Sequence, residues 1–166
     1  MRLILLIAFI VGVSAQSNQK PESQTECPMH ATHTQMNERG EKGMGFSQTA
    51  TTHHFLLNSN GGVIQVEAKD SADATNRNEI RMHLGHIAKV FQSGDFDIPI
   101  FVHDTVPPGV PEMKRLRKTI QYSFEETPNG GRVVISSANK EALEAIHRFL
   151  RFQIEEHKTG DGLDVR

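Results

Sequence analysis

The sequence predicts an α+β fold, with duplicated ββα units forming a four-stranded antiparallel sheet and two helices on one face. Three observations carry that prediction. The stretch from Thr51 to Asp95 recurs from Ile120 to Asp161: TTHHFLLNSNGGVIQVEAKD is matched by IQYSFEETPNGGRVVISSAN, and NEIRMHLGHIAKVFQSGD by KEALEAIHRFLRFQIEEHKTGD. Asn60-Gly61-Gly62 aligns with Asn129-Gly130-Gly131 at an offset of 69, and Gly94-Asp95 with Gly160-Asp161 at an offset of 66. Self-similarity of this kind marks a repeated structural unit. Within each copy the apolar pattern then passes from alternation to a 3.6-residue period, which reads as a hairpin followed by a helix. A lone hairpin is marginally stable, so the two copies are expected to share one core.

Taken in order, Met1-Arg2, the apolar run Leu3 to Val13 and the small-x-small site Val13-Ser14-Ala15 read as a signal peptide over residues 1–15. The run is too short to span a bilayer. The expectation is an exported protein, periplasmic or secreted, with no membrane attachment after cleavage. Residues 16–45 read as a flexible Met/His-containing N-terminal segment: Gln16 to Glu26 is polar, and the middle of the following stretch suits a short helix ended by Gly40, Gly43 and Gly45. One duplicated domain is expected over 46–161, with copy one at 51–95, a linker at 96–119, copy two at 120–161 and a tail at 162–166.

Thr51 to Leu57 and Val63 to Ala68 read as a strand pair around an Asn-Gly turn. Asn78 to Gln92 reads as a helix, with Ile80, Leu84, Ile87 and Phe91 on one face and Gly94 as its stop. Phe96 to His103 is apolar and reads as a short extended strand. The prolines at 107, 108 and 111 exclude regular structure around them, and Glu112 to Lys118 suits a turn or two of helix. Ile120, Tyr122 and Phe124 alternate, as do Val133 and Ile135. Asn139 caps a helix from about Lys140 to Lys158 with Leu143, Ile146, Leu150 and Ile154 on its apolar face. The sheet face away from the helices then needs a cover: the linker, the N-terminal segment, or a protein partner, including a second copy of the chain.

Composition narrows the function classes. Loss of Arg2 with the signal peptide leaves 17 basic and 20 acidic residues, which is no nucleic-acid footprint. The single cysteine, Cys27, cannot form an internal disulfide, so it is free, pairs with another chain, or binds metal.

The copies differ mainly in histidine. His53, His83 and His86 stand where the second copy has Tyr122, Phe149 and Phe152. Imidazoles in place of aromatics do not help a core, because buried polar rings need partners. His53 alternates with Phe55 and Leu57 and should face the helices, whereas His54 points to the other face. On the first helix, His83 lies about 60° and His86 about 120° from Ile80, three residues apart on one side. The pattern suits a transition-metal site of His83 and His86 completed by His53 or His54. The structural alternative is a half-buried, hydrogen-bonded His83 beside a solvated His86, and a third is acid–base work in a cleft. His103 reads as a loop contact, His147 as a surface residue, and His157 as a partner of helix C-terminal carbonyls.

A second candidate is Cys27-Pro28-Met29-His30, followed by His33. It resembles the short CPMHP-type heavy-metal-binding motif of exported copper-handling proteins, with Ala31 where that motif has Pro and Thr25 where it has an aromatic. The resemblance implies soft-ion binding by Cys27, Met29, His30 and His33. The stretches TTHHF…GG…IR-HL-HIA and AIH-FLRFQI-EH-TGD are similar to those of an uncharacterised family of exported bacterial proteins, which implies no activity.

No nucleophile elbow, phosphate-binding glycine loop, dinucleotide fingerprint, His-Glu-x-x-His or Cys-x-x-Cys-His is present. The expected function is transition-metal binding, copper foremost with zinc or non-covalent haem as alternatives, for sensing, storage or delivery. The competing readings are a metal-free interaction module using the open sheet face and a small His-dependent hydrolase or lyase.

Overall fold

The computed structural model describes residues 28–166, with side chains from Thr34 onward. The expected signal peptide, the polar leader and Cys27 lie outside the described residues. So do the side chains of Met29, His30 and His33.

The fold is α+β, a four-stranded antiparallel sheet with five helices. The order is α1 (Pro28–Met44), β1 (Thr51–Asn58), β2 (Gly61–Ala68), α2 (Ala74–Ser93), α3 (Asp97–His103), α4 (Val110–Arg115), a 3-10 turn (Arg117–Thr119), β3 (Ile120–Thr127), β4 (Gly130–Ser137) and α5 (Lys140–His157). The sheet order is β1-β2-β4-β3, so the two hairpins meet through β2 and β4. Each hairpin closes with a two-residue loop, Asn58 pairing with Gly61 and Thr127 with Gly130.

Register explains the core. Phe55 pairs with Ile64, Ile64 with Val133, and Val133 with Phe124, so one apolar row crosses all four strands. His53 pairs with Val66, one step along the same face. Ile80, Leu84, Ile87 and Phe91 of α2 join Ile146, Phe149, Leu150 and Ile154 of α5 in one cluster with these strand residues. The opposite face carries His54, Leu56, Val63, Gln65, Arg132 and Val134, of which only Val63 is buried.

Local signals set the helix bounds. Asp73 accepts a hydrogen bond from the Asn76 N–H and starts α2 at Ala74, four residues before the expected start at Asn78. Gly94, at φ 87°, ends it. Asn139 caps α5 by accepting from the Ala142 N–H. Two expectations change. Phe96 to His103 is helix α3 rather than strand, because its apolar residues pack on α1 and the core instead of pairing with an edge. Helix α1 runs 17 residues, through Gly40 and Gly43, with Met36 buried.

Both sheet edges are occupied, which blocks edge-to-edge pairing. On β1, the Phe55 N–H donates to Asp161, the Arg166 N–H to the Leu57 carbonyl, and the Ser59 N–H to the Arg166 carbonyl. On β3, the Gln92 amide donates to the Ile120 carbonyl at 3.0 Å and accepts from the Tyr122 N–H at 3.2 Å. Among the described residues no helix is long and apolar enough to cross a membrane.

Candidate functional site

Four imidazoles and a thioether line one apolar cavity. His53 comes from β1 and His83 from α2; Met44, His103 and His157 are the last residues of α1, α3 and α5. Phe55, Ile64 and Val66 form the sheet wall, and Phe91 and Phe149 the helix wall. The cavity has a volume of about 60 Å³. That is room for a single ion with its ligands or a few small atoms, since one water needs roughly 10–15 Å³ by the same measure.

The imidazoles form a chain of contacts. His53 stacks on His157 with ring centroids 5.4 Å apart, and His157 meets His103 edge-on at 5.1 Å. On the other side Phe46 stacks against His53 at 5.9 Å and touches His83 edge-on at 5.6 Å. The His103 Nε2–H donates to the Gln153 side-chain carbonyl at 2.9 Å. In a neutral ring that leaves Nδ1 as a bare lone pair. His103 Nδ1 is buried without a hydrogen-bond partner, and so is His53 Nε2.

The surroundings disfavour a charge on His53, His83 and His103. Burial, then repulsion from His83 and His54, lowers His53 to a pKa of about 4. Burial, then repulsion from His86, lowers His83 to about 4. Burial also lowers His103, with Arg39 adding to it and with Gln153 and Glu156 opposing. Neutral imidazole is both the metal-ligating form and the general-base form.

The cavity shares a wall with an open polar groove lined by Asn37, Gln48, Thr52, His54 and Lys69. His53 and His157 border both. His54 lies on the groove side, its Nδ1–H donating to Asp161 at 3.0 Å. Burial raises the Asp161 carboxyl, but hydrogen bonds from Thr159, Phe55 and His54 outweigh it and hold the group below its ordinary value.

Of the expected body residues, then, the structure brings His53 and His83 to one cavity and leaves His54 and His86 outside it. His86 is exposed on α2. Two other expectations, for His103 and His147, are corrected. His103 is a half-buried cavity residue rather than a loop contact. His157, at the end of α5, lines the cavity as well. His147 is buried, its Nε2–H shared between the Asn58 and Gly61 carbonyls at 3.0 Å each. The signal for His157 was present, since it aligns with the core residue Phe91. The signal for His103 was hidden by the strand reading of its segment.

Among the described residues no three His, Cys, Asp or Glu side chains converge in a way that could hold a metal ion. The chain matches no family model, no curated protein and no solved structure.

Proposed function

We propose that this chain is an exported transition-metal-binding protein, used in sensing, storage or delivery, whose body site is the histidine-lined cavity. One observation carries the reading: His103 Nδ1 and His53 Nε2 are buried, unpartnered nitrogens on neutral rings that line the same cavity. Burying a polar atom without a partner costs stability, and native folds avoid it. With the Gln153 amide nitrogen, also unpartnered, three buried polar atoms line this apolar cavity and call for a ligand, to which neutral imidazoles offer nitrogen lone pairs. The His103–Gln153 hydrogen bond has the form of an outer-shell contact, with the far ring nitrogen donating to a carbonyl and fixing the tautomer.

In this reading the fold is a duplicated ββα pair with both long helices on one sheet face. The site lies where β1 and α2 of copy one meet the C-terminus of copy two. Cys27, Met29, His30 and His33 form a capture segment ahead of it. His54 and His86 are not ligands. The acid–base alternative has less support, because no Asp or Glu lines the cavity to orient an imidazole.

The test is metal content of the mature chain purified without a tag, with melting temperature measured with and without Cu, Zn and Ni. One ion per cavity and a metal-dependent rise in melting temperature are expected, the rise growing with the logarithm of free metal. His53→Phe with His103→Phe should abolish the effect, and His86→Ala should preserve it. Undiminished metal-dependent stabilisation in the double variant would sink the assignment.

A further inference from the structure

We infer that two copies of this chain dock through the open face of the sheet, about a two-fold axis parallel to the strands. The inference is independent of the metal reading. Edge pairing is closed to a second copy, because Gln92 covers β3 and Asp161 and Arg166 cover β1. The face away from the core cluster remains. Leu56, Val63 and Val134 stand there in one cross-strand row, and Gln65, Arg132 and Glu125 in the next. Only Val63 among them is buried.

The first support is an unmatched charge. Glu67 lies on this face, half-buried, with Thr52 and Gly130 as its cross-strand neighbours, so β4 places no side chain directly beside it. None of the ion pairs among the described residues includes Glu67. Lys69, two residues on, donates instead to the Thr49 carbonyl at 2.8 Å. Arg132, diagonally across, donates from Nε and Nη2 to Glu125 at 2.8 and 2.7 Å. A guanidinium carries five N–H donors, so Arg132 can serve a second carboxylate.

The second support is self-complementarity. A two-fold parallel to the strands lays β2 of one copy over β4 of the other with the rows in register. Val63 then meets Val134 of the partner subunit, and Gln65 meets the partner's Arg132. Glu67 faces the partner's Gly130, and the partner's Arg132 lies one row along, within reach across sheets about 10 Å apart. Each contact occurs twice. A two-fold through the same centre but across the strands would set Arg132 against the partner's Val134, a charge on an apolar row. Four strands of eight residues give a face of roughly 500 Å² a side, and about 1,000 Å² buried in all. That area sits at the lower bound for a specific interface, so the dimer is reversible, with a Kd on the order of 10 μM.

Sedimentation velocity of the mature chain tests this, with chelator to remove metal and reductant to keep Cys27 from cross-linking copies. The mass should rise from monomer to dimer between about 1 and about 300 μM. Glu67→Lys and Arg132→Glu each set like charges across the interface and should weaken association about tenfold, with circular dichroism and melting showing the fold intact. An equal mixture of the two variants should dimerise as the wild type does, since each then meets opposite charge on the other. Pairing within one chain could not be restored by mixing. Should either variant fail to fold, Val134→Lys on the apolar row supplies the same test and should abolish the dimer. A wild type that stays monomeric throughout, a dimer indifferent to these substitutions, or a mixture of folded variants that stays monomeric overturns the proposal.

Discussion

His53 of β1 and His157 at the end of α5 stack with their rings 16° from parallel, joining the first strand to the last helix of the described fold. That contact holds His53 in an apolar setting where a proton is costly, and His83 lies in the same cavity. The two groups fall from an ordinary 6.5 to about 4 on folding. Above the unfolded value both states are neutral and nothing is linked to pH. Between 6.5 and about 4 the unfolded chain takes up protons that the folded chain refuses, so stability falls as pH falls. Within that window each group removes about 1.4 kcal/mol per pH unit, the two sharing part of the effect through mutual repulsion. Denaturant midpoints of the metal-free protein should therefore drop between about pH 7 and about pH 5. His53→Phe should flatten the slope. A midpoint constant across that range would refute the neutral-imidazole description.

His147 should matter to stability and not to metal. Its Nε2–H serves the Asn58 and Gly61 carbonyls that flank the first hairpin loop, and it does not line the cavity. His147→Phe leaves both carbonyls without that donor, at a cost of about 1–3 kcal/mol for a buried group left unsatisfied. Urea titration should show the loss, and stoichiometric metal binding should persist in the folded fraction. If metal binding disappears while the fold survives, the site includes more of the hairpin than the cavity does.

Much of this architecture is legible in the sequence because its determinants are local. Two Asn-Gly-Gly turns, alternation on either side of them, and an Asn or Asp before each long apolar period place the hairpins and the long helices α2 and α5. What escaped is set by tertiary packing. Residues 97–103 have the composition of a strand, but no sheet edge is open to them: Gln92 occupies β3, and Asp161 and Arg166 occupy β1. The segment buries its apolar residues as a helix instead. Half the cavity followed from pattern, because His53 and His83 sit at strand and helix positions whose facing can be counted. His103 and His157 depend on where two helices end in space, which no period encodes. His147 misled for the opposite reason, since its arginine neighbour Arg148 suggested solvent while its own position faces a hairpin turn.

Gly109 is a point where the fold tolerates no side chain. Its φ is +89°, and a Cβ there would lie 2.2 Å from the Ala145 carbonyl oxygen of α5. The approach lets the loop before α4 press against α5, with Val110 and Met113 buried behind it. Gly109→Ala combines left-handed strain of about 1–2 kcal/mol with overpacking of about 1–3 kcal/mol against backbone that cannot yield cheaply. The expected loss is about 2–5 kcal/mol in denaturant unfolding. Gly45→Ala supplies the control: φ is +81° but nothing lies within 4 Å, so only the strain should appear. Equal losses in the two variants would show that the α4–α5 contact is looser than described.

Asp161 tests whether the C-terminal tail is part of the folded unit. One carboxylate oxygen accepts from the Phe55 N–H at 2.9 Å and the other from the His54 ring at 3.0 Å, so the tail closes the exposed edge of β1. Asp161→Ala removes both acceptors and leaves an edge amide for water. Hydrogen exchange at the Phe55 amide should accelerate at least tenfold, while the amide of Ile64, inside the sheet between β1 and β4, should slow or quicken only with global stability. Because the folded Asp161 carboxyl lies below its ordinary value, its contribution is present at neutral pH and is lost as pH falls through that lowered value. Acidification of the wild type should therefore reproduce the fast exchange at Phe55. Protection at Phe55 that survives the substitution would mean that the Arg166 and Leu57 backbone contact alone secures the edge.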